Sequence, residues 1–431
     1  MLNPKSVAVF GASHATNSVG AKVFANLLKG GFEGAIYPIN PKHKSIDGKP
    51  CFASLADTKA HVDLAVIATP AHTVPEIIRQ CGEAGTKNAI VLSAGFGEGG
   101  TSQKDLGDKL KQAATRGGVR LLGPNCVGLV RPWLGLDATF LKSSTPKGGL
   151  ALVSQSGALC SAISDWAGPN QLGFSALVSL GNALDIGFGD VVNALAIDPK
   201  TTAILLYVEG LRDASSFISA IRRAARTKPV VVLKVGRHSQ SSKAAQTHTG
   251  ALMGSDDVFD AALTRAGAVR VDTFGQLFAA AEILSANKRA HGNRLAIITN
   301  GGGAGVLAAD RAGDLNVDLP APSDATLKAL DKQLPKYWSR SNPIDILGDA
   351  KPADYRAAIA AAMDDPAFDG VLVMLTPQAM TDATEVAREI TETLAGQDRK
   401  PVLACWMGET SVSEGRNLLS TNAIPDFTTP E

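Results

Sequence analysis

The chain has 431 residues, enough for roughly three domains, each with a core of its own. Hydrophobic residues make up 45% and charged residues 19%, ordinary proportions for a soluble globular protein. A formal net charge of +1 gives no basic face for nucleic acid or membrane, and five scattered cysteines without a CxxC pair give neither a disulfide framework nor a zinc site. No apolar run is long enough to span a membrane, so the expected setting is cytoplasmic and reducing.

In chain order, Ser6–Phe10 (SVAVF) is a short buried-strand pattern followed by GASHATNSVG and a helical stretch up to Lys29. Strand-like runs recur at Ala35–Ile39, Leu64–Ala68, Ala89–Leu92 and Arg120–Leu122, with amphipathic stretches between them. Strands alternating with helices predict parallel βαβ units, so residues 1–141 read as a Rossmann-like domain. A second series starts at Leu150 (LALVSQSGAL) and a third at Arg294 (RLAIITNGGGAG). The polar, turn-rich stretches Lys142–Gly149 and Asn287–Asn293 are taken as junctions, giving domains 142–289 and 290–431. The fold class expected is α/β, a Rossmann-like domain followed by two further parallel-sheet domains.

Each domain opens with a strand that runs through small residues into a helix. Backbone N–H groups at such a turn, with the helix N-terminus, suit an anion; any strand of this class also needs a tight turn there. The first loop, Gly11-Ala12-Ser13-His14, lacks the later glycines of the dinucleotide fingerprint. After the next strand come Asn40-Pro41-Lys42-His43-Lys44, with no acid until Asp47. Lys42 and Lys44 suit a phosphate on a ribose, as in coenzyme A or NADP; a solvated turn is the plainer alternative. No Walker A motif occurs.

Taken together, SVAVFGAS, YPINPK, LLGPNCVGL, VSQSGAL, LLYVEG, THTGAL, NGGGAG, SNPIDILG and the ending TTPE resemble one family over essentially the whole chain. It is similar to the NDP-forming acyl-CoA synthetases, the superfamily of succinyl-CoA synthetase, in their α part. The resemblance implies a CoA-binding Rossmann-like domain and two flavodoxin-like CoA-ligase domains. It implies a reversible reaction in which acyl-CoA and phosphate give acyl phosphate and CoA, a histidine takes the phosphoryl group, and ADP receives it. ADP or ATP with Mg would bind only on an ATP-grasp domain or subunit, the expected partner. An oligomer, homo- or hetero-, is expected, with a small acid and CoA or acetyl-CoA as the small-molecule partners.

By resemblance the phosphorylated residue is His248, among the small neighbours Thr247, Thr249 and Gly250. Neutral imidazole is a good nucleophile at physiological pH when a carboxylate fixes its other nitrogen, and Glu209 in LLYVEG matches the family's orienting glutamate. Ser154, Gln155, Ser156 and Gly157 open a helix and resemble the family's phosphate-binding segment, with Gly250 joining them. Gly11, Ser13, Gly20, Lys42, Lys44, Pro70, Ser93, Gly95, Asn125 and Cys126 are the positions expected along bound CoA. Cys126 has no base near it in sequence and reads as a packed small residue rather than a catalytic thiol. Leu159, Gly181 and Asn182 are candidates for the acyl pocket, and the scarcity of aromatics leans towards a small acid such as acetate.

Two other readings compete. LLYVEGLRDASSF and Cys405–Leu419 also resemble the acyl-CoA-sensing region of GNAT-type protein lysine acetyltransferases. An NADP-dependent dehydrogenase is disfavoured by the missing fingerprint glycines. Thr428 and Glu431 form a capping-box pattern with Pro430 between them, so the expectation is that the chain is cut from a longer polypeptide.

Overall fold

The computed structural model describes residues 1–96, 101–143, 145–170, 172–237, 255–286, 289–396 and 400–430, with backbone alone for 101–104. Among these residues the strands form three sheets and one small hairpin, and the chain divides into two compact units, Met1–Ala281 and Glu282–Glu431.

The first sheet contains β1 (Ser6–Phe10) and β2 (Ala35–Ile39); β3 (Ser45–Ile46) and β4 (Lys49–Pro50) make the hairpin. β5 (Leu64–Ile67), β6 (Asn88–Val91) and β7 (Arg120–Leu122) complete the sheet in the order β2-β1-β5-β6-β7, all parallel. β1 is buried at every position, as a strand covered on both faces must be. Helix α1 (Val19–Lys29) starts where the Ser18 hydroxyl accepts the Ala21 N–H, and it buries Val23, Phe24 and Leu27 on one side.

The second sheet gathers β8 (Gly128–Arg131), β9 (Leu136–Thr139), β10 (Lys147–Ser154), β11 (Phe174–Ser179), β12 (Ala203–Val208), β13 (Val230–Lys234) and β14 (Val269–Val271). Its order is β14-β13-β12-β10-β11-β8-β9, with β8 and β9 antiparallel and the rest parallel. The sequence puts the first junction after residue 141, yet residues 128–139 pair with the second sheet. The two layers share one apolar core, in which Val9 and Phe24 join Leu129, Val153, Val178 and Leu206. Asn26 on α1 ties them further, its amide donating to the carbonyls of Thr139 and Leu141, both at 2.9 Å.

The unit Glu282–Glu431 is built on β15 (Leu295–Thr299), β16 (Ile344–Asp345), β17 (Gly370–Leu375), β18 (Val402–Trp406) and β19 (Asp426–Phe427), in the parallel order β16-β15-β17-β18-β19. Its core holds Tyr355, Phe368 and Trp406 fully buried. Their polar atoms are satisfied, as buried ones must be: the Tyr355 hydroxyl donates to Met374 O and the Trp406 indole to Ala383 O. Among the described residues no helix is long and apolar enough to cross a membrane.

Candidate active site

The turn after β10 is made by side chains as much as by backbone. The Ser154 hydroxyl accepts the Ser156 N–H at 3.0 Å and donates to the Ser156 carbonyl at 2.9 Å, bending the strand into helix α4 (Gly157–Ala167). Ser154 is fully buried, so this expected phosphate ligand shapes the turn and presents nothing to a ligand. Gln155 lines the cavity described below and also serves the backbone. Its amide oxygen accepts the N–H groups of Glu209 (2.7 Å) and Gly210 (3.0 Å), and its amide nitrogen donates to Gly210 O (2.8 Å). One side chain thus satisfies three backbone groups at the end of β12.

Ser156 caps α4 without a side-chain bond to the helix. A Cβ at Gly157 would lie 2.6 Å from a Val127 methyl carbon, so glycine lets the helix start come close to that wall. Ser156, Gly157 and Ala158 all line a cavity of about 360 Å³. The first N–H groups of a helix have no partner within it, so this wall suits an anion.

Glu209, at the end of β12 and only 7% exposed, lines the same cavity. Burial, and then the charge of Glu209, push the nearby Tyr207 hydroxyl up to about 12. The opposite wall comes from the loop after β7. Gly123 and Asn125 have φ of 96° and 56°. Asn182 N–H donates to Pro124 O and Leu184 N–H to Gly123 O, both at 3.0 Å. At Gly181 (φ 54°) any Cβ would run into the carbonyls of Pro124 and Asn125, so the two loops require glycine to meet. Asn125, Gly181 and Asn182 therefore reach the cavity as expected; Leu159 is not on its lining. Cys126 lines it too, but its Sγ donates to Val91 O at 3.4 Å. Burial, then the neighbouring Cys160, push its thiol above the ordinary range, and burial lifts Cys160 to about 12. Neither is a nucleophile at neutral pH.

The remaining expected CoA positions lie along the carboxyl edge of the first sheet, where open α/β sheets bind ligands. Gly11 (φ 83°) donates its N–H to Ile39 O at 3.0 Å, and Gly20 packs so closely on the Gly11 carbonyl that no Cβ fits there. The helix–strand contact that a third fingerprint glycine would make is thus supplied nine positions on. The Ser13 hydroxyl accepts the Ala15 N–H at 3.0 Å. Lys42 and Lys44 are exposed beside the loop in which His14 and His43 meet edge to face at 5.2 Å, a pair that sequence reading did not single out. Pro70 begins the turn after β5; the Ser93 hydroxyl donates to Thr69 O, and Gly95 has φ 103°. Leu92 and Asn125, which follow β6 and β7 at this edge, also line the cavity.

His248 and Gly250 lie outside the described residues. The strand and helix on either side carry a cluster not picked out from sequence. Lys234, 5% exposed at the end of β13, stands 3.9 Å from Asp256, which Arg270 binds at 2.7 Å. Burial lowers the Lys234 ammonium from its usual range. A lysine closing the strand VVVLK was the available signal.

Residues 5–132 match the model of a CoA binding domain, residues 147–284 that of a succinyl-CoA ligase like flavodoxin domain, and residues 295–430 that of a Ligase-CoA domain. The chain is 39% identical over 427 residues to acetate–CoA ligase [ADP-forming] I of Archaeoglobus fulgidus, covering 99% of this chain and 61% of that protein. It therefore spans about three fifths of that relative's length. It is 37% identical over 436 residues to the acetate–CoA ligase [ADP-forming] I subunit alpha of Pyrococcus furiosus, covering 100% of this chain and 94% of that one. Among solved structures it is similar to the dinucleotide forming acetyl-coenzyme A synthetase 1 of Ca. Korarchaeum cryptofilum in complex with phosphate and ADP, at 34% identity, covering 100% of this chain and 93% of that one, with a TM-score of 0.95. The chain belongs to the family of ADP-forming acetate–CoA ligases, which it matches at full length in their α-subunit form.

Proposed function

We propose that the chain is the CoA-binding, phosphohistidine-bearing part of an ADP-forming acyl-CoA ligase with a small acid such as acetate as substrate. The observation that carries this reading is the meeting of the α4 N-terminus and the Glu209 carboxylate in one cavity at the end of the CoA-type crevice. The ligase relatives favour it over an acetyltransferase-associated sensor.

Phosphate held at Ser156-Gly157 attacks the thioester carbon of acyl-CoA. The C–S bond breaks, and the CoA thiolate leaves with the proton of the phosphate. The fixed N–H groups stabilise charge on the phosphate without reorganising. His248 Nε2 then attacks the phosphorus of the acyl phosphate, the P–O bond to the acyl group breaks, and the acid departs as its carboxylate. Glu209 accepts the Nδ1 hydrogen and stabilises the cation that forms. Gln155 is a positioning residue, fixing the backbone of Glu209. Transfer to ADP, with Mg²⁺, takes place on an ATP-grasp domain or subunit, and the complex is a cytoplasmic oligomer that binds neither nucleic acid nor membrane.

The test is intact mass after mixing the chain with acetyl phosphate. An acid-labile gain of one phosphoryl group, lost in His248→Ala, is expected. No gain, with or without the ATP-grasp partner present, counts against the reading.

A further inference from the structure

The reaction cavity has a second one beside it. A cavity of about 590 Å³ runs along α4 on the side away from Glu209, and Phe140 and Ser161 line both spaces. The shared floor is one face of the helix. Gly157, Ala158 and Ser161 border the first cavity, and Ser161, Ser164 and Asp165, three and four positions further on, border the second. Beside it the Ser143 hydroxyl donates to Asp165 (2.8 Å) and the Thr145 and Ser164 hydroxyls meet at 3.5 Å, and Lys22 and Lys142 also line the space.

Phe140 stands opposite this face and is held there. Its ring packs on the main core, and the Asn26 amide binds the carbonyls immediately before and after it. A half-buried aromatic pinned on both sides of its own backbone is a fixed wedge between two spaces.

We propose that Phe140, with Ser161 across from it, sets the length of the acyl group. This rests on the ligase reading above. The reacting carbonyl must lie against the phosphate at Ser156-Gly157, and the thioester sulfur enters from Asn125. Glu209 occupies another wall. The acyl tail then starts beside Gly181 and Asn182 and runs along α4 towards Phe140. A short tail ends before the ring; a longer one meets it.

The experiment follows loss of thioester absorbance from acetyl-, butyryl-, hexanoyl- and octanoyl-CoA with the full chain and phosphate. Arsenate replaces phosphate in a parallel series, because acyl arsenates hydrolyse and make the step irreversible. Wild type is expected to favour the short thioesters. Phe140→Ala is expected to raise kcat/KM for hexanoyl-CoA by about tenfold or more relative to acetyl-CoA, the scale on which pockets discriminate by methylene groups. Phe140→Leu, which keeps a large side chain on the core, is expected to shift the preference in the same direction by a smaller factor. Adding Ser161→Phe to Phe140→Ala should restore the short-chain preference. Turnover of acetyl-CoA by the wild type with an unchanged length profile in both Phe140 variants overturns the gate. Absence of any acyl-CoA turnover, with the ATP-grasp partner present as well, overturns the ligase reading and the gate with it.

Discussion

Two corners of the molecule are built alike and equipped differently. At the end of β10, Ser154 bonds the N–H and carbonyl of Ser156; at the end of β15, Thr299 does the same for Gly301. The next residue in each case is an amide that clamps the end of the neighbouring strand. Gln155 holds the backbone of Glu209 and Gly210, and Asn300 holds Thr376 through its N–H (2.7 Å) and carbonyl (2.9 Å). A helix follows, Gly157–Ala167 in one and Gly302–Asp314 in the other. The corner itself is a solution to a backbone problem: strand ends must be satisfied where they leave the sheet. The two corners differ in the residue that the amide positions, a carboxylate at 209 and a hydroxyl at 376. Thr376 Oγ1 donates back to Asn300 at 2.9 Å, closing its corner on itself.

The sharpest way to break this comparison is to neutralise each positioned residue. Glu209→Gln is expected to slow phosphoryl transfer from acetyl phosphate by about 10³–10⁴-fold, as loss of an imidazole-orienting carboxylate does, with CoA binding by calorimetry unchanged. Thr376→Val should leave that rate within about twofold. Equal losses in both variants would remove the distinction.

Next come the clamps. Gln155→Ala and Asn300→Ala each leave several strand-end groups without partners and are expected to destabilise by about 2–4 kcal/mol in urea unfolding. Only Gln155→Ala should also slow phosphoryl transfer, because only its corner carries Glu209. A transfer defect in Asn300→Ala of the same size would argue against this division.

The smallest effect concerns pH. In the first unit burial lifts Asp137 to about 6, against the opposing bonds from Thr139. In the second, burial raises both Glu282 and Asp426. An acid whose folded value is raised opposes folding above that value and ceases to do so below its unfolded one. Stability should therefore increase as pH falls from about 7 towards 4, with Asp137 contributing on the order of 2 kcal/mol or less. Asp137→Asn should flatten this dependence in the first unit alone, read by peptide-resolved hydrogen exchange.

Much of this was visible in the sequence because parallel strands covered on both faces leave a local signature. Ser6–Phe10, Ala35–Ile39 and Arg120–Leu122 were read as strands to the residue, since each is a short apolar run bounded by turn formers. The membership of residues 128–139 in the second sheet was not legible, because antiparallel pairing to β11 depends on partners some fifty positions away (Val130 faces Leu177). Within the site, the resemblance of LLYVEG to the family points to Glu209, and the structure puts Glu209 on the cavity lining. The backbone bonds of Ser154 and Gln155 are not legible in sequence, because a hydroxyl and an amide that serve the protein's own backbone look the same there as ones that serve a phosphate. Phe140 and Asn26 gave no signal, since their meaning lies in a contact across more than a hundred residues.

The exchange of β8 and β9 into the second sheet has a practical consequence for dissection. A cut at residue 141, the natural choice from sequence, would carry two strands away with the first fragment and leave β11 paired on one side only, with β10. The second fragment would present a long apolar edge of unpaired backbone, the kind that recruits other chains into aggregates. The carboxyl edge of the first sheet and the turn after β10 are thus parts of one compact unit, whereas the polypeptide on either side of residues 281 and 282 has a core of its own.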